Sequence, residues 1–410
     1  MASPVYILGG SQTDFARNWS RDEASIFEIM KASVEGALES TKITPEQIDV
    51  AHVGNFVGEL FSNQGHLGGI FAAIDPAFHG LPASRHEAAC ASGSVAILSA
   101  MADIQAGHYD VACVTGVEQM RNVPGKVAAQ YLGTAAWSGR EAQEAAFLWP
   151  WMFDALWKEY DKRYGIKREH LSAIARLNFE NARGNANAQT RSWTVSDDNF
   201  GSCDENNPVV EGEIRRYDCS QITDGSVSVI LASEPAAKDY AQKHGTTLEA
   251  IPRITGWGHR TGTMLYNDKI ALSSDAPLVF PHVSQCIQDA FKRAGVAGVD
   301  DIDSIETHDC FSITEYMAID HFGITAPGES HIAVEEGWIQ RDGKIPMNPG
   351  GGLMGGGHPV GATGVRMVLD SFKQVSNQAE GYQVDNARRV ATLNIGGSAT
   401  TCVSFVVEAE

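Results

Sequence analysis

Two distant stretches of this chain carry the same pattern, and that constrains the fold more than any other feature. Glu46-Gln47-Ile48-Asp49-Val50-Ala51-His52-Val53 matches Asp300-Asp301-Ile302-Asp303-Ser304-Ile305-Glu306-Thr307 in outline. Each follows an amphipathic stretch with helical spacing, Ile26 to Glu39 and Val283 to Ala294, and each reads as a turn followed by a short buried strand. A second pair follows in the same order. Cys90-Ala91-Ser92-Gly93 and Gly361-Ala362-Thr363-Gly364 each open an apolar helix that leads to a strand, Tyr109 to Thr115 and Arg389 to Asn394. Two matches in one order point to a duplicated α/β unit, with Val/Ile-rich strands alternating with helices in layers.

The repeat divides the chain. Residues 1–120 with 219–250 form the expected first half, and 251–410 the second. Residues 121–218 read as an insertion or lid within the first half. The insertion holds Trp137, Trp149, Trp151, Trp157 and Trp193, and Asp154 to Asn185 has helical spacing. Its basic and acidic residues nearly balance, whereas the whole chain carries a net charge of −20. So acidic a chain argues against a nucleic-acid or anionic-membrane surface, and a phosphate-bearing ligand meets least repulsion near the insertion.

Seven cysteines are scattered without CxxC spacing, at positions 90, 113, 203, 219, 286, 310 and 402. An odd, dispersed set argues against a disulfide framework or a zinc site and fits a reducing compartment. Val5-Tyr6-Ile7-Leu8 reads as a strand and not as a signal peptide. No apolar run reaches the roughly 20 residues that span a bilayer. The expected location is the cytoplasm, with mitochondrion and peroxisome as alternatives.

The chemistry resides in three segments. Cys90 stands just before a helix, where unpaired N–H groups and the helix dipole favour a thiolate, and a thiolate is a nucleophile able to carry an acyl group. Thr307-His308-Asp309-Cys310-Phe311 ends a strand, where ligands gather in α/β folds. If it stays extended, His308 and Cys310 face one side. The run Asn348 to Gly364 surrounds His358 with glycines and a proline, which permit close backbone approach. A neutral imidazole there could take the Cys90 proton. The glycines of Asn394-Ile395-Gly396-Gly397-Ser398 could offer an N–H which, with that of Cys90, would form an oxyanion hole. Each residue also has a plain packing role open to it, as a core cysteine, a turn histidine or an ordinary glycine turn.

Taken together these segments resemble the thiolase superfamily over nearly the whole chain. Cys90-Ala91-Ser92-Gly93 resembles the family's nucleophile loop, and Gly357-His358-Pro359-Val360-Gly361-Ala362-Thr363-Gly364 its specific GHPxGATG signature. Val5 to Phe15, Gly116-Val117-Glu118-Gln119-Met120 and Asp224-Gly225-Ser226 also fit. Most thiolases carry an NEAF-like motif where this chain has His308-Asp309-Cys310-Phe311, and place a second catalytic cysteine where this chain has Asn394. That departure resembles the sterol-carrier-protein-2-type thiolases, here without the sterol-carrier domain.

The resemblance implies a five-layered α/β/α/β/α fold and a reversible acyl transfer between a cysteine and CoA or acetyl-CoA. It implies Cys90 as nucleophile, His358 as base and oxyanion donor, and Cys310 as second acid/base. His308 would sit at the oxygen that becomes an enolate, with the N–H groups of Cys90 and Gly396 at the acyl oxygen. CoA and acyl-CoA enter as substrates, with no resident cofactor or metal, and the assembly would be a homodimer or homotetramer. Trp151-Met152-Phe153 stands where a His-Met-Gly-like element on the CoA side is usual, so the CoA contacts are not assigned. Two other readings share the fold. One is a thiolase-like subunit of an acyltransferase or aldolase complex with a small OB-fold partner. The other is a carrier-protein condensing enzyme with a Cys-His-His set, which the cysteine of the HDCF motif disfavours.

Overall fold

The computed structural model describes residues 3–410. Its strands are β1 (Val5–Gln12), β2 (Val50–Gly54), β3 (Ala83–His86), β4 (Val111–Glu118), β5 (Val209–Glu211), β6 (Ile214–Arg215), β7 (Gly225–Ala232), β8 (Arg253–Thr261), β9 (Ser304–Thr307), β10 (Arg389–Gly396) and β11 (Thr401–Glu408). Nine of them form one sheet in the order β3-β2-β4-β7-β1-β8-β11-β10-β9. The sequence repeat explains this order. From the outer edge inwards the first half runs β3-β2-β4-β7-β1 and the second runs β9-β10-β11-β8. Strands β2 and β9, which carry the matching segments, occupy equivalent places beside β4 and β10. The second half lacks a full counterpart of β3. A single parallel bridge, Ile305 to Met347, takes its place, with the Ile305 N–H donating to Pro346 O at 2.9 Å. The halves join where β1 meets β8 antiparallel over Val5 and Tyr6.

Three apolar clusters separate the layers. Ile29, Met30 and Val34 of helix Ile26–Thr41 pack on Tyr6, Val53 and Ile230, covering the outer face of the first half. Ile97, Ala100 and Met101 of helix Ser92–Gln105 share the central cluster with Val365, Val368 and Leu369 of helix Thr363–Val375 and with strand residues of both halves, among them Val114, Val229, Val403 and Phe405. Val283, Ile287 and Phe291 of helix Pro281–Ala294 belong to the third cluster, on the far side of the second half. Helix, first half of the sheet, paired central helices, second half of the sheet, helix: the five layers follow from which face of each strand is apolar.

The two central helices meet at glycines. A Cβ at Gly93 would strike Gly361 O, and one at Gly364 would strike Ser94 N and Oγ. The matched CASG and GATG segments therefore touch at the helix starts, which brings Cys90 and His358 together. The insertion leaves the sheet after β4 and returns at β7. Its helical stretch breaks at Gly165, φ 71°, into Leu148–Tyr164 and Arg168–Ala182. Leu156, Trp157, Leu171 and Ile174 pack in the cluster of the second half, so residues inserted in one half cover the other. No helix among the described residues is long and apolar enough to cross a membrane.

Candidate active site

Cys90 is presented by a strained turn. Ala89 has φ 51°, a left-handed conformation that costs a non-glycine residue about 1–3 kcal/mol. The surroundings over-determine it. Glu87 Oε1 accepts from Ala89 N–H at 2.6 Å, Ser92 Oγ donates to Ala89 O at 2.6 Å, and Ser92 Oγ accepts from Ala88 N–H at 2.9 Å. The helix itself begins at Ser92.

The sulfur of Cys90 and a ring nitrogen each of His308 and His358 lie within 4.8 Å of one another. The two imidazoles stand edge to face, 5.3 Å between centroids. Cys90, Cys310 and His358 line one cavity of about 460 Å³. Phe56, Met120, Phe147, Trp149, Phe153 and Phe311 form much of its wall, and Lys126 and Arg216 of the insertion are its cationic residues. Phe153 stacks on Phe311 at 4.5 Å, fixing the residue that follows Cys310.

The histidines are held with opposite ends free. His358 Nδ1 lies 2.6 Å from Thr363 Oγ1, whose hydroxyl donates to Pro359 O at 3.2 Å. The hydroxyl therefore accepts from Nδ1–H, which leaves Nε2 as a bare lone pair. Nε2 is buried and has no hydrogen-bond partner. Backbone N–H of His358 donates to Thr223 Oγ1 at 2.9 Å, fixing the ring's position. His308 has the other tautomer. Ser94 Oγ donates to Asn394 Oδ1 at 2.8 Å, and Asn394 Nδ2 donates to His308 Nδ1 at 3.1 Å. Its proton is then on Nε2. One ring can accept a proton while its neighbour donates a hydrogen bond. Asn394, in place of the usual cysteine, sets the second tautomer.

One sequence expectation is corrected. The thiol of Cys90 is not poised as a thiolate: burial pushes it up to about 12, with the Glu118 and Glu87 carboxylates adding to the rise and the Gly397 N–H opposing it. Helix-end stabilisation is outweighed because the sulfur precedes the helix and faces a cavity walled largely by apolar side chains. His358 is held down to about 3 by burial and then by the Arg366 guanidinium. Burial, His358 and Arg366 hold His308 well below the usual range. Burial, Cys90 and Asp309 raise the Cys310 thiol well above its ordinary value. The resting site holds neutral thiols and neutral imidazoles.

The site has a charged foundation that sequence reading did not single out. Arg366 is fully buried and pairs with Glu306 at 2.9 Å and Asp370 at 2.7 Å. Asp309, inside the His308–Phe311 motif, accepts from the N–H groups of Leu353 at 2.6 Å and Met354 at 3.1 Å, tying the glycine-rich run to it. Glu118 accepts from the N–H groups of Phe56 and Gly361 at 2.9 and 3.0 Å and from Asn55 Nδ2 at 2.8 Å. It thereby joins β2, β4 and the GATG turn. The cavity is lined by Gly397, with its N–H towards the Cys90 sulfur. Gly396 ends β10, paired with Thr401, and a Cβ there would strike Ala88 O.

Comparison with known proteins shows the family. Residues 5–195 match the family model "Thiolase, N-terminal domain" and residues 266–409 match "Thiolase C-terminal domain-like". An acetyl-CoA acetyltransferase of Methanothermobacter thermautotrophicus is 31% identical over 98% of both chains. The chain belongs to the thiolase family. Human sterol carrier protein 2 is 25% identical over 96% of this chain and 70% of its own length, in keeping with the sterol-carrier-type HDCF motif. Among solved structures, an Ltp2-ChsH2(DUF35) aldolase superposes with a TM-score of 0.78 at 16% identity, covering 100% of this chain and 99% of that one, which speaks for the fold alone.

Proposed function

We propose that this thiolase-family chain carries an acyl group on Cys90 and exchanges it reversibly between the sulfur of CoA and the α-carbon of acetyl-CoA. The observation that carries the reading is the convergence of Cys90, His308 and His358 within 4.8 Å, with Cys310 on the same cavity wall. In thiolysis Cys90 sulfur attacks the 3-oxo carbon of a 3-oxoacyl-CoA while its proton passes to His358 Nε2. The C2–C3 bond breaks, and its electron pair becomes the enolate of acetyl-CoA. His308 Nε2–H donates to the enolate oxygen, and Cys310 delivers a proton to C2. CoA thiol then gives its proton to the Cys310 thiolate and attacks the Cys90 thioester, whose oxygen receives N–H groups from Cys90 and the Gly396–Gly397 turn; Cys90 sulfur leaves and recovers its proton from His358. Run backwards, the same steps form the carbon–carbon bond.

Lys126 and Arg216 support a phosphate-bearing substrate at this cavity, and the name of the Methanothermobacter relative supports acetyl-CoA. Residues 121–218 act in this reading as the lid that supplies both cations. The test is thiolysis and condensation measured with short, long and branched 3-oxoacyl-CoAs. Turnover that requires Cys90 supports the reading, and its absence with all of them refutes it. A second reading, a subunit of an acyltransferase or aldolase complex with a small OB-fold partner, draws on the likeness to the Ltp2-ChsH2(DUF35) aldolase. Activity that appears only with a co-purifying small protein would favour it. A homodimer or homotetramer is proposed on the resemblance alone.

A further inference from the structure

The turn between β10 and β11 presents the Gly397 N–H to the Cys90 sulfur, and its backbone does not hold that shape unaided. Gly397 has φ 63° and Ala399 φ 61°, the latter in the left-handed region that a Cβ disfavours. Two side chains grip it from behind, one of them a buried lysine. Lys269, on helix Tyr266–Leu272, is 3% exposed. Its ammonium donates to Ser398 Oγ at 2.8 Å, Thr400 Oγ1 at 3.1 Å and Met264 O at 2.9 Å, which uses all three protons. No carboxylate pairs with it within 4.0 Å among the described residues. His282 Nε2 donates to Ala399 O at 2.8 Å. A dry, unpaired ammonium is costly and needs a reason beyond packing.

We propose that Lys269 is a positioning residue of the acyl transfer: its charged ammonium, spanning Ser398 and Thr400, fixes the turn and lends positive potential to the Gly397 N–H where charge develops on the thioester oxygen. This rests on the acyl-Cys90 reading and extends it to a residue outside the cavity. A charge held on the turn strengthens an oxyanion contact most where water is excluded, and Gly397, Ser398 and Ala399 are buried.

The charge state gives a distinctive readout. Burial lowers Lys269 to about 8, against the pull of Glu141, Cys402 and Asp268. The groups facing it are Glu141 from the insertion, Asp268 on its own helix, Cys402 on β11 and His282 on the helix behind. Burial pulls His282 below its usual range and raises Cys402 well above it, so neither releases a proton near pH 8. The ammonium is present below about pH 8 and lost above it. Deprotonation of Cys90 acts in the opposite direction and would speed acylation.

The experiment is single-turnover transfer of labelled acetyl from acetyl-CoA to the enzyme between pH 6 and 10, with alkylation of Cys90 by iodoacetamide in parallel. For wild type the rate should fall as pH rises through about 8. Lys269→Met should be slower by about tenfold to a hundredfold, less than the 10²–10³ lost with a direct oxyanion donor, and should lack the alkaline fall. Lys269→Arg should recover much of the rate and stay flat, since a guanidinium keeps its charge. Ser398→Ala keeps the lysine but removes an acceptor of its charged form, so the fall should move to lower pH. An unchanged rate in Lys269→Met, or a loss that leaves the alkaline limb in place, overturns the proposal. If that variant does not fold, an unmoved limb in Ser398→Ala overturns it equally. Wild type that is alkylated but never acetylated would instead refute the acyl-Cys90 reading, and this proposal with it.

Discussion

Replacing Asn394 by Asp tests the tautomer logic without changing side-chain size. In the native site the amide donates to His308 Nδ1 at 3.1 Å and accepts from Ser94 at 2.8 Å. A carboxylate there has no proton to give, so His308 must turn its own proton towards it. A hydrogen bond to a charged acceptor is worth about 1.5–3 kcal/mol, enough to favour the neutral ring protonated on Nδ1, while burial, His358 and Arg366 continue to oppose a charged imidazole. The enolate oxygen then loses its donor. Loss of one oxyanion donor costs about 2.7–4 kcal/mol, or 10²–10³ in kcat. Ser94 can still donate to the new carboxylate, so the fold should survive. The assay is kcat for thiolysis, with nitrogen-15 NMR of His308 to read the protonated nitrogen. A variant within a few-fold of wild type, or an unchanged tautomer, would refute the reasoning.

Three further outcomes follow from the same geometry. Cys310→Ala should still accept a labelled acetyl group on Cys90, while condensation falls by about 10²–10⁴, the usual contribution of a positioned acid/base; equal loss of both steps contradicts the division of roles. Thermal stability should decline between pH 6.5 and 8. Burial raises Glu118 to about 7 and Glu315 to about 8, so the fold retains protons that the unfolded chain releases near 4.5; this stabilisation falls as pH rises from there and is gone above those values. Below 6.5 the histidines oppose it, since His52 is held to about 4 and His358 to about 3 and their contribution grows with pH. Melting followed against pH should therefore show a fall above 6.5 that Glu315→Gln makes shallower; a steady rise to pH 8 contradicts the buried-carboxyl account. Gly364→Ala should destabilise by about 1–3 kcal/mol or prevent folding, because the new methyl meets Ser94 at the central helix crossing. Denaturant melting of that variant at wild-type stability would show that the helices separate freely.

Much of this architecture was legible in the sequence because a duplication leaves its signal in local patterns. The matched segments at Glu46 and Asp300 gave β2 and β9 their places, and the CASG and GATG segments gave the two central helices. Periodicity did not reveal that the counterpart of β3 shrinks to the bridge at Met347, since a segment's partners across a sheet leave no local trace. Nor did it reveal that the insertion covers the half from which it does not emerge.

At the site, the cysteines and histidines stood out by their glycine-rich surroundings. What supports them did not. Arg366 and Glu118 sit in apolar runs, and only the fold shows that Arg366 is buried against Glu306 and Asp370 and that Glu118 is buried on backbone N–H groups. Asn394 was noted as a missing cysteine, yet its work on the His308 tautomer depends on a contact with Ser94, far away in the chain. The thiolate expectation went astray for a general reason. A dipole at a helix start is visible in sequence, whereas desolvation of the sulfur is set by the walls of a cavity assembled from six or more segments.

Mass spectrometry of the intact protein after brief exposure to acetyl-CoA, with the modified peptide mapped, tests the central claim most directly. One acetyl group per chain should be found as a thioester on Cys90, and added CoA should remove it. Acetyl found elsewhere, or none on a Cys90 that iodoacetamide still alkylates, would contradict the account.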